Sequence, residues 1–260
     1  MTRPPTRNPR LAVSLALVAA AALPALANAP APSTPPSAVP APSPRDAREG
    51  IARALDFTVT IEADGVYGAG ILVAPAEGLV VTCFHVVEEM RSPVVTFRDG
   101  KTEQARVLET DRVLDIALLQ VPPQKRRGPV LGDATALVPG EEVYAVGYPR
   151  RLGFTVSRGI VSYVGRSMDG ARYLQTDLPI NDGNSGGPVV NAQGELVGMT
   201  SFILRRAQGI SFALPINYAP ERFAQVKPPS GDPGYLERFR RWRREGEPAR
   251  ESFRAGDGEL

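Results

Sequence analysis

Hydrophobic positions along this chain gather in short, β-branched runs rather than in long stretches of helical period. Between Ile51 and about Val226 the runs include Phe57-Thr58-Val59-Thr60-Ile61, Gly70-Ile71-Leu72-Val73, Leu79-Val80-Val81-Thr82 and Val94-Val95-Thr96-Phe97. Further on come Glu142-Val143-Tyr144-Ala145-Val146, Ile160-Val161-Ser162-Tyr163-Val164, Pro188-Val189-Val190 and Glu195-Leu196-Val197-Gly198-Met199. Gly, Asp, Asn or Pro bounds each run, and Asp99-Gly100, Asp169-Gly170 and Gln193-Gly194 have the chemistry of hairpin turns. Strands do not alternate with amphipathic helices, which argues against a parallel sheet. The pattern predicts an all-β domain over residues 51–226, of sandwich or barrel type. A Pro/basic segment from Pro122 to Pro129 splits the strands into two clusters, with a linker near 122–134.

Both ends depart from this pattern. Arg3, Arg7 and Arg10 precede an apolar run from Leu11 to Ala27 that closes on Ala25-Leu26-Ala27, the form of an export signal cut after Ala27. At 17 residues, with Pro24 inside it, the run is short of the roughly 20 that a membrane-spanning helix needs. An uncleaved anchor is the alternative reading. Eleven of the 26 prolines lie in the first 50 residues, and residues 28–50 read as a Pro/Ala-rich linker with no apolar periodicity to bury. Residues 227–260 turn Gly/Pro-rich and then charged. Within them Leu236, Phe239 and Trp242 are spaced to share one stripe of a short helix among arginines. That stripe either docks on the domain or serves an anionic partner.

Composition narrows the chemistry. With 30 Lys+Arg against 28 Asp+Glu the net charge is +2, which gives no general attraction to nucleic acid or membrane. One Cys excludes an intramolecular disulfide, and one His excludes multi-His metal sites, so no metal or cofactor is expected.

Three segments could carry a reaction. In Asn181-Asp182-Gly183-Asn184-Ser185-Gly186-Gly187-Pro188 a serine sits among glycines that permit a tight turn and let successive N–H groups converge, as a developing oxyanion requires. An ordinary Gly-rich loop is the plain alternative. His85, the sole histidine, follows the run Leu79–Thr82 and is the one imidazole available as a base near neutral pH. Asp115 stands before the apolar run Ile116-Ala117-Leu118-Leu119, where an unpaired carboxylate would be costly to bury. It either orients His85 or caps a turn.

The order His85, Asp115, Ser185 is that of the chymotrypsin-like proteases. Together with Gly68-Ala69-Gly70-Ile71-Leu72, Gly147-Tyr148-Pro149, Thr155 to Ser162, Gln175-Thr176-Asp177 and Gly209 to Asn217, these segments resemble the trypsin-like serine proteases, specifically the bacterial high-temperature-requirement (HtrA/Deg) branch. The resemblance is collinear over about residues 55–218. It implies two six-stranded antiparallel β-barrels with the active site between them. It further implies Ser185 as nucleophile, His85 as base then acid, Asp115 as orienting carboxylate, and an oxyanion hole at Gly183, Asn184 and Ser185. Ile180, Ser201, Phe202 and Ile203 are the expected substrate-binding positions, favouring a small or medium apolar residue before the cut over Arg or Lys.

The chain also departs from that family. Asp182 stands where proline is usual, and Cys83-Phe84 where Asn-Asn or Ala-Ala is usual. Asn184 cannot make the ion pair that activates digestive-type relatives. The 43 residues after Asn217 are too few for a PDZ domain, so a protease domain alone is expected, monomeric or trimeric. The function expected is an exported (periplasmic or secreted) serine endopeptidase acting on protein or peptide substrates. The alternative is a noncatalytic, chaperone-like or peptide-binding protein on the same fold.

Overall fold

The computed structural model describes residues 44–63, 65–88, 92–149, 152–168, 170–203 and 209–223. The export signal, most of the linker and the charged tail lie outside the described residues. The all-β expectation holds: among the described residues thirteen strands form two antiparallel sheets, with three short or terminal helices.

The first half contains β1 (Thr58–Ala63), β2 (Val66–Ala74), β3 (Leu79–Thr82), β4 (Val94–Phe97), β5 (Thr102–Gln104), β6 (Arg106–Asp111) and β7 (Ile116–Gln120). Their order is β5-β4-β1-β2-β3-β7-β6. All four residues of β3 and the first four of β7 are buried, as strands covered on both faces should be. Seven strands stand where six are expected, and the count has a simple cause. β5 and β6 occupy opposite edges, yet Ala105 alone separates them in sequence. They are two arms of one bent segment that pairs with β4 at one end and β7 at the other. Buried Ala105 sits at the bend and donates its N–H to Pro93 O at 2.8 Å. The sheet therefore curls until its edges are joined by the chain itself.

The second half is a closed six-stranded barrel, ordered β10-β13-β12-β11-β8-β9. Its strands are β8 (Glu142–Gly147), β9 (Thr155–Met168), β10 (Ala171–Thr176), β11 (Pro188–Asn191), β12 (Leu196–Ile203) and β13 (Ser211–Pro215). Val143, Ala145, Val161, Leu174, Val189, Val197 and Ala213 fill its interior. A larger apolar cluster runs from Ile61, Val86 and Leu118 in the first half to Met199, Phe212 and Phe223 in the second. Each fully buried Leu, Ile or Phe of this kind stabilises the fold by about 1.5–3 kcal/mol.

Residues 44–50, the last part of the expected linker, are helical, and the first strand begins after Phe57 rather than on it. Helix α1 covers Pro44–Phe57. Gly50, Ala54 and Phe57 are buried at three- and four-residue intervals, while Arg48, Glu49, Arg53 and Asp56 face solvent, the spacing of an amphipathic helix. The helix lies against the β11–β12 turn, where Gly50 abuts the Gly194 backbone and Arg53 Nη2 donates to Gln193 O at 2.6 Å. A groove of about 490 Å³ lined by residues 104–106 and 120–123 opens beside the Ala105 bend and shares no residue with the three chemical segments.

Candidate active site

His85 is placed by a single helical turn. β3 ends at Thr82, Cys83 is still extended, and Phe84–Val87 form α2. Val86 and Val87 face the core, which leaves His85 on the outer side with 48 % of its side chain exposed. Asp115 is placed by a turn built on another aspartate. Asp111 Oδ1 accepts the N–H groups of Val113 at 2.8 Å and Leu114 at 3.0 Å, and Arg222 pairs with the same carboxylate. The turn delivers Asp115 in the left-handed region at φ 52°, the one non-glycine residue there among the described residues. Aspartate tolerates that region better than most side chains.

The consequence is a two-point grip. Asp115 Oδ2 lies 2.8 Å from His85 Nδ1, and Oδ1 accepts the His85 backbone N–H at 2.9 Å. A carboxylate only accepts, so His85 carries its proton on Nδ1 and leaves Nε2 with a lone pair. Ser201 Oγ adds a longer hydrogen bond to Asp115 Oδ2 at 3.4 Å. The hydrogen bond that His85 donates to Asp115 raises the His85 pKa above its ordinary 6.5; partial burial opposes this, and the charges of Asp115 and Glu88 add to it.

Ser185 lies in a loop that crosses to the first half. Two turns shape it, with Asn184 N donating to Asn181 O at 3.0 Å and Gly187 N to Asn184 O at 2.9 Å. Ser185 O then accepts the N–H of Ala69 on β2 at 2.9 Å. Glycine is required at two points. Gly183 has φ 97° and a Cβ there would lie 2.4 Å from Tyr148 O; Gly186 has φ 84° and its Cβ would lie 2.3 Å from both Ala69 O and Thr82 Oγ1. Neither the Gly183 nor the Ser185 N–H has an acceptor among the described residues, so both are free to donate to a ligand. Asn184 between them is buried, and its Oδ1 has no partner where it packs against Gly147.

The structure thus joins His85, Asp115 and Ser201 by hydrogen bonds and sets the Ser185 loop beside Ala69, Thr82 and Cys83. Ser185 Oγ and His85 are not hydrogen-bonded in this free chain. Catalytic contacts of that kind commonly tighten only when substrate arrives.

The remaining expected positions divide. Ser201 is buried with its hydroxyl turned to Asp115, and Phe202 stacks on Phe212 at 4.9 Å with Tyr173 edge-on at 5.2 Å. Ser201 is enclosed, whereas Phe202 is half-buried. Ile180 packs against the barrel interior, and Ile203 is exposed. Asp182 is exposed, so its charge is solvated. Sequence reasoning missed Thr200, a buried hydroxyl inside an apolar strand, which the cost of burying an unpaired hydroxyl could have flagged.

Among the described residues one trio could offer ligand atoms to a metal, namely Cys83, His85 and Asp115, all within 4.8 Å. Those atoms already have uses. Cys83 Sγ donates to Thr200 O at 3.3 Å, and burial together with the Asp115 charge pushes its thiol well above the ordinary range, so it stays protonated.

Comparison with known proteins accords with this geometry. Residues 68–199 match the family described as trypsin-like peptidase domain. Periplasmic serine endoprotease DegP of Salmonella typhimurium is 40 % identical over 167 residues, which is 61 % of this chain and 35 % of that protein. HhoA of Synechocystis is 42 % identical over 161 residues, 58 % of this chain and 41 % of that protein. This chain therefore spans less than half the length of these curated relatives. Among solved structures, the HtrA-type protease AlgW with tripeptide matches at TM-score 0.64 and 31 % identity, over 69 % of this chain and 62 % of that one. The serine endoprotease from Yersinia pestis matches at TM-score 0.64 and 29 % identity, over 69 % and 66 %. With the paired His85 and Asp115, the glycine-bound Ser185 loop and half of its length inside the family match, the chain belongs to the trypsin-like peptidases, among relatives of the HtrA/DegP type.

Proposed function

We propose that the protein is a serine endopeptidase that hydrolyses accessible or unfolded protein segments through an acyl-enzyme. The observation that carries this reading is His85 gripped at two points by Asp115 beside a serine loop with two unengaged N–H groups. In the first step Ser185 Oγ adds to the scissile carbonyl while His85 Nε2 takes its proton. The carbonyl oxygen becomes an oxyanion facing the Gly183 and Ser185 N–H groups. His85 then passes the proton to the leaving amine, and the peptide C–N bond breaks. Water repeats the sequence on the ester, with His85 again as base and then acid, and frees Ser185.

Substrate is expected to bind as an added strand. β11 pairs with β12 only as far as Met199, so the edge of β12 beyond Thr200 lies open beside the Ser185 loop among the described residues. Backbone pairing there would bind many sequences, as a protease of unfolded chains requires. The expected export signal fits relatives named periplasmic endoproteases, and we place the protein outside the cytoplasm on that basis.

The test is labelling of the purified chain with a fluorophosphonate probe beside Ser185→Ala, together with cleavage of a denatured protein. Labelling and cleavage that both vanish in the variant are expected. A well-folded chain that is never labelled, yet captures denatured protein, would replace this reading with a chaperone-like one.

A further inference from the structure

We infer that Thr200 is the positioning residue of the oxyanion hole. The inference rests on the serine-endopeptidase reading and deepens it. Thr200 lies on β12 with 1 % of its surface exposed, between apolar Met199 and the Ser201 that reaches Asp115. Every polar atom it has is spent on the segments around the site. Its hydroxyl contacts Asn184 O, and also Gly187 O at 3.1 Å. Its N–H donates to Gly187 O at 2.8 Å. Its carbonyl accepts Gly186 N at 2.9 Å and Cys83 Sγ at 3.3 Å.

The contact with Asn184 O matters most. The peptide unit joining Asn184 to Ser185 is planar and trans, so its C=O and N–H point in opposite directions. Tying the carbonyl inward on Thr200 turns the Ser185 N–H outward, toward the place where the substrate oxyanion forms. Gly183 and Gly186, one residue beyond this peptide on either side, give the loop around it little rigidity of its own. Gly187 N also reaches Asn184 O, but it belongs to the same flexible loop. Thr200 is the tie that comes from a rigid strand. The same residue touches Cys83, two positions before His85, so it fixes the serine loop against the segment that carries the base.

Thr200→Val removes the hydroxyl and keeps the branched shape; Thr200→Ser keeps the hydroxyl. Thr200→Val is expected to lower kcat about 10- to 100-fold with KM little changed, since removal of an oxyanion donor outright costs about 10²–10³. Affinity for a peptide aldehyde, which forms a tetrahedral oxyanion on serine, should fall in parallel. Binding of the uncleaved peptide to a Ser185→Ala background should not change. Thr200→Ser should restore kcat to within a few fold. Wild-type kcat and aldehyde affinity in Thr200→Val would overturn the proposal. So would equal losses of aldehyde and peptide binding, which would mark a merely structural role. If Thr200→Val fails to fold, Thr200→Ala against Thr200→Ser repeats the contrast.

Hydrogen exchange over residues 181–190 separates the two readings. Faster exchange in Thr200→Val supports the tie whether or not the chain is a protease, and unchanged exchange overturns it. A wild-type chain that the fluorophosphonate never labels would overturn the protease reading instead.

Discussion

The two halves contribute to the site in different ways. In the proposed reading the first half supplies the proton-handling pair from regular structure and a short turn, with His85 on α2 directly after β3 and Asp115 directly before β7. Those two strands are neighbours, in register from Leu79↔Gln120 to Thr82↔Ala117, so the pair is brought together by sheet pairing itself. In the same reading the second half would supply bond making and charge stabilisation from a glycine loop with almost no regular structure, held by contacts to its surroundings. A rigid pair thus faces a loop whose geometry has to be imposed. Around the site, hydrogen bonds between the halves run from Ala69 N to Ser185 O, Cys83 Sγ to Thr200 O and Ser201 Oγ to Asp115 Oδ2.

The largest effect should come from disabling the rigid pair without touching the loop. Asp115→Asn keeps the size of the side chain but presents an amide to His85, so the imidazole loses the tautomer that a base requires. Cleavage should fall about 10⁴-fold with the melting temperature nearly unchanged. A loss of less than tenfold would mean that the pair does not drive the chemistry.

The next largest should come from the junction. Gly186→Ala places a methyl against Ala69 and Thr82 at a left-handed φ. Strain and overpacking of that kind cost roughly 2–4 kcal/mol, or about 5–15 °C in melting temperature for a domain of this size, and activity should fall with it. A variant that melts early yet cleaves normally per folded molecule would show that loop geometry is not set at this contact.

The smallest effect concerns pH. His85 must be neutral to accept a proton, and its pKa is raised by the Asp115 hydrogen bond, against partial burial, with further help from the charges of Asp115 and Glu88. Activity should therefore rise with pH through a midpoint above the ordinary imidazole value of 6.5. Glu88→Gln removes one negative charge that favours the imidazolium, so the midpoint should move slightly downward, with kcat on the alkaline plateau unchanged. An upward movement would contradict the assigned cause.

How much of this was legible in the sequence differs between the same two regions. Leu79–Thr82 and Val94–Phe97 are apolar or β-branched and bounded by turns, and the structure has strands at those residues. The segments holding His85, Asp115 and Ser185 stand out because each sets a polar group against glycines or an apolar run. Helix α1 was hidden because its buried stripe is built largely of small residues, and its partner turn lies 140 residues away. The β5–β6 bend was hidden because residues 102–111 are mostly polar, with only Ala105, Val107 and Leu108 apolar, as an edge segment with an outward face should be. The direction of Ser201 could not be read from alternation either. The β12–β13 register shifts between Thr200 and Phe202, and such a bulge reverses the parity that decides which way a side chain points. Thr200 looked like one more β-branched strand residue; its role exists only once the loop has folded over it.

Helix α1 has a consequence for the order in which the molecule can be completed. It leads directly into β1, and Phe57 belongs to the core that spans both halves, yet the turn against which the helix docks is formed by Gln193 and Gly194. During synthesis the helix can meet β2 early, but the turn that Gly50 and Arg53 contact is made only some 140 residues later. A helix of 14 residues is marginal in water when it has no packing partner. Its docking on that turn is therefore among the last contacts to form. That docking closes the assembly that the rest of the described residues have built, as a final clasp between α1 and the second-half barrel.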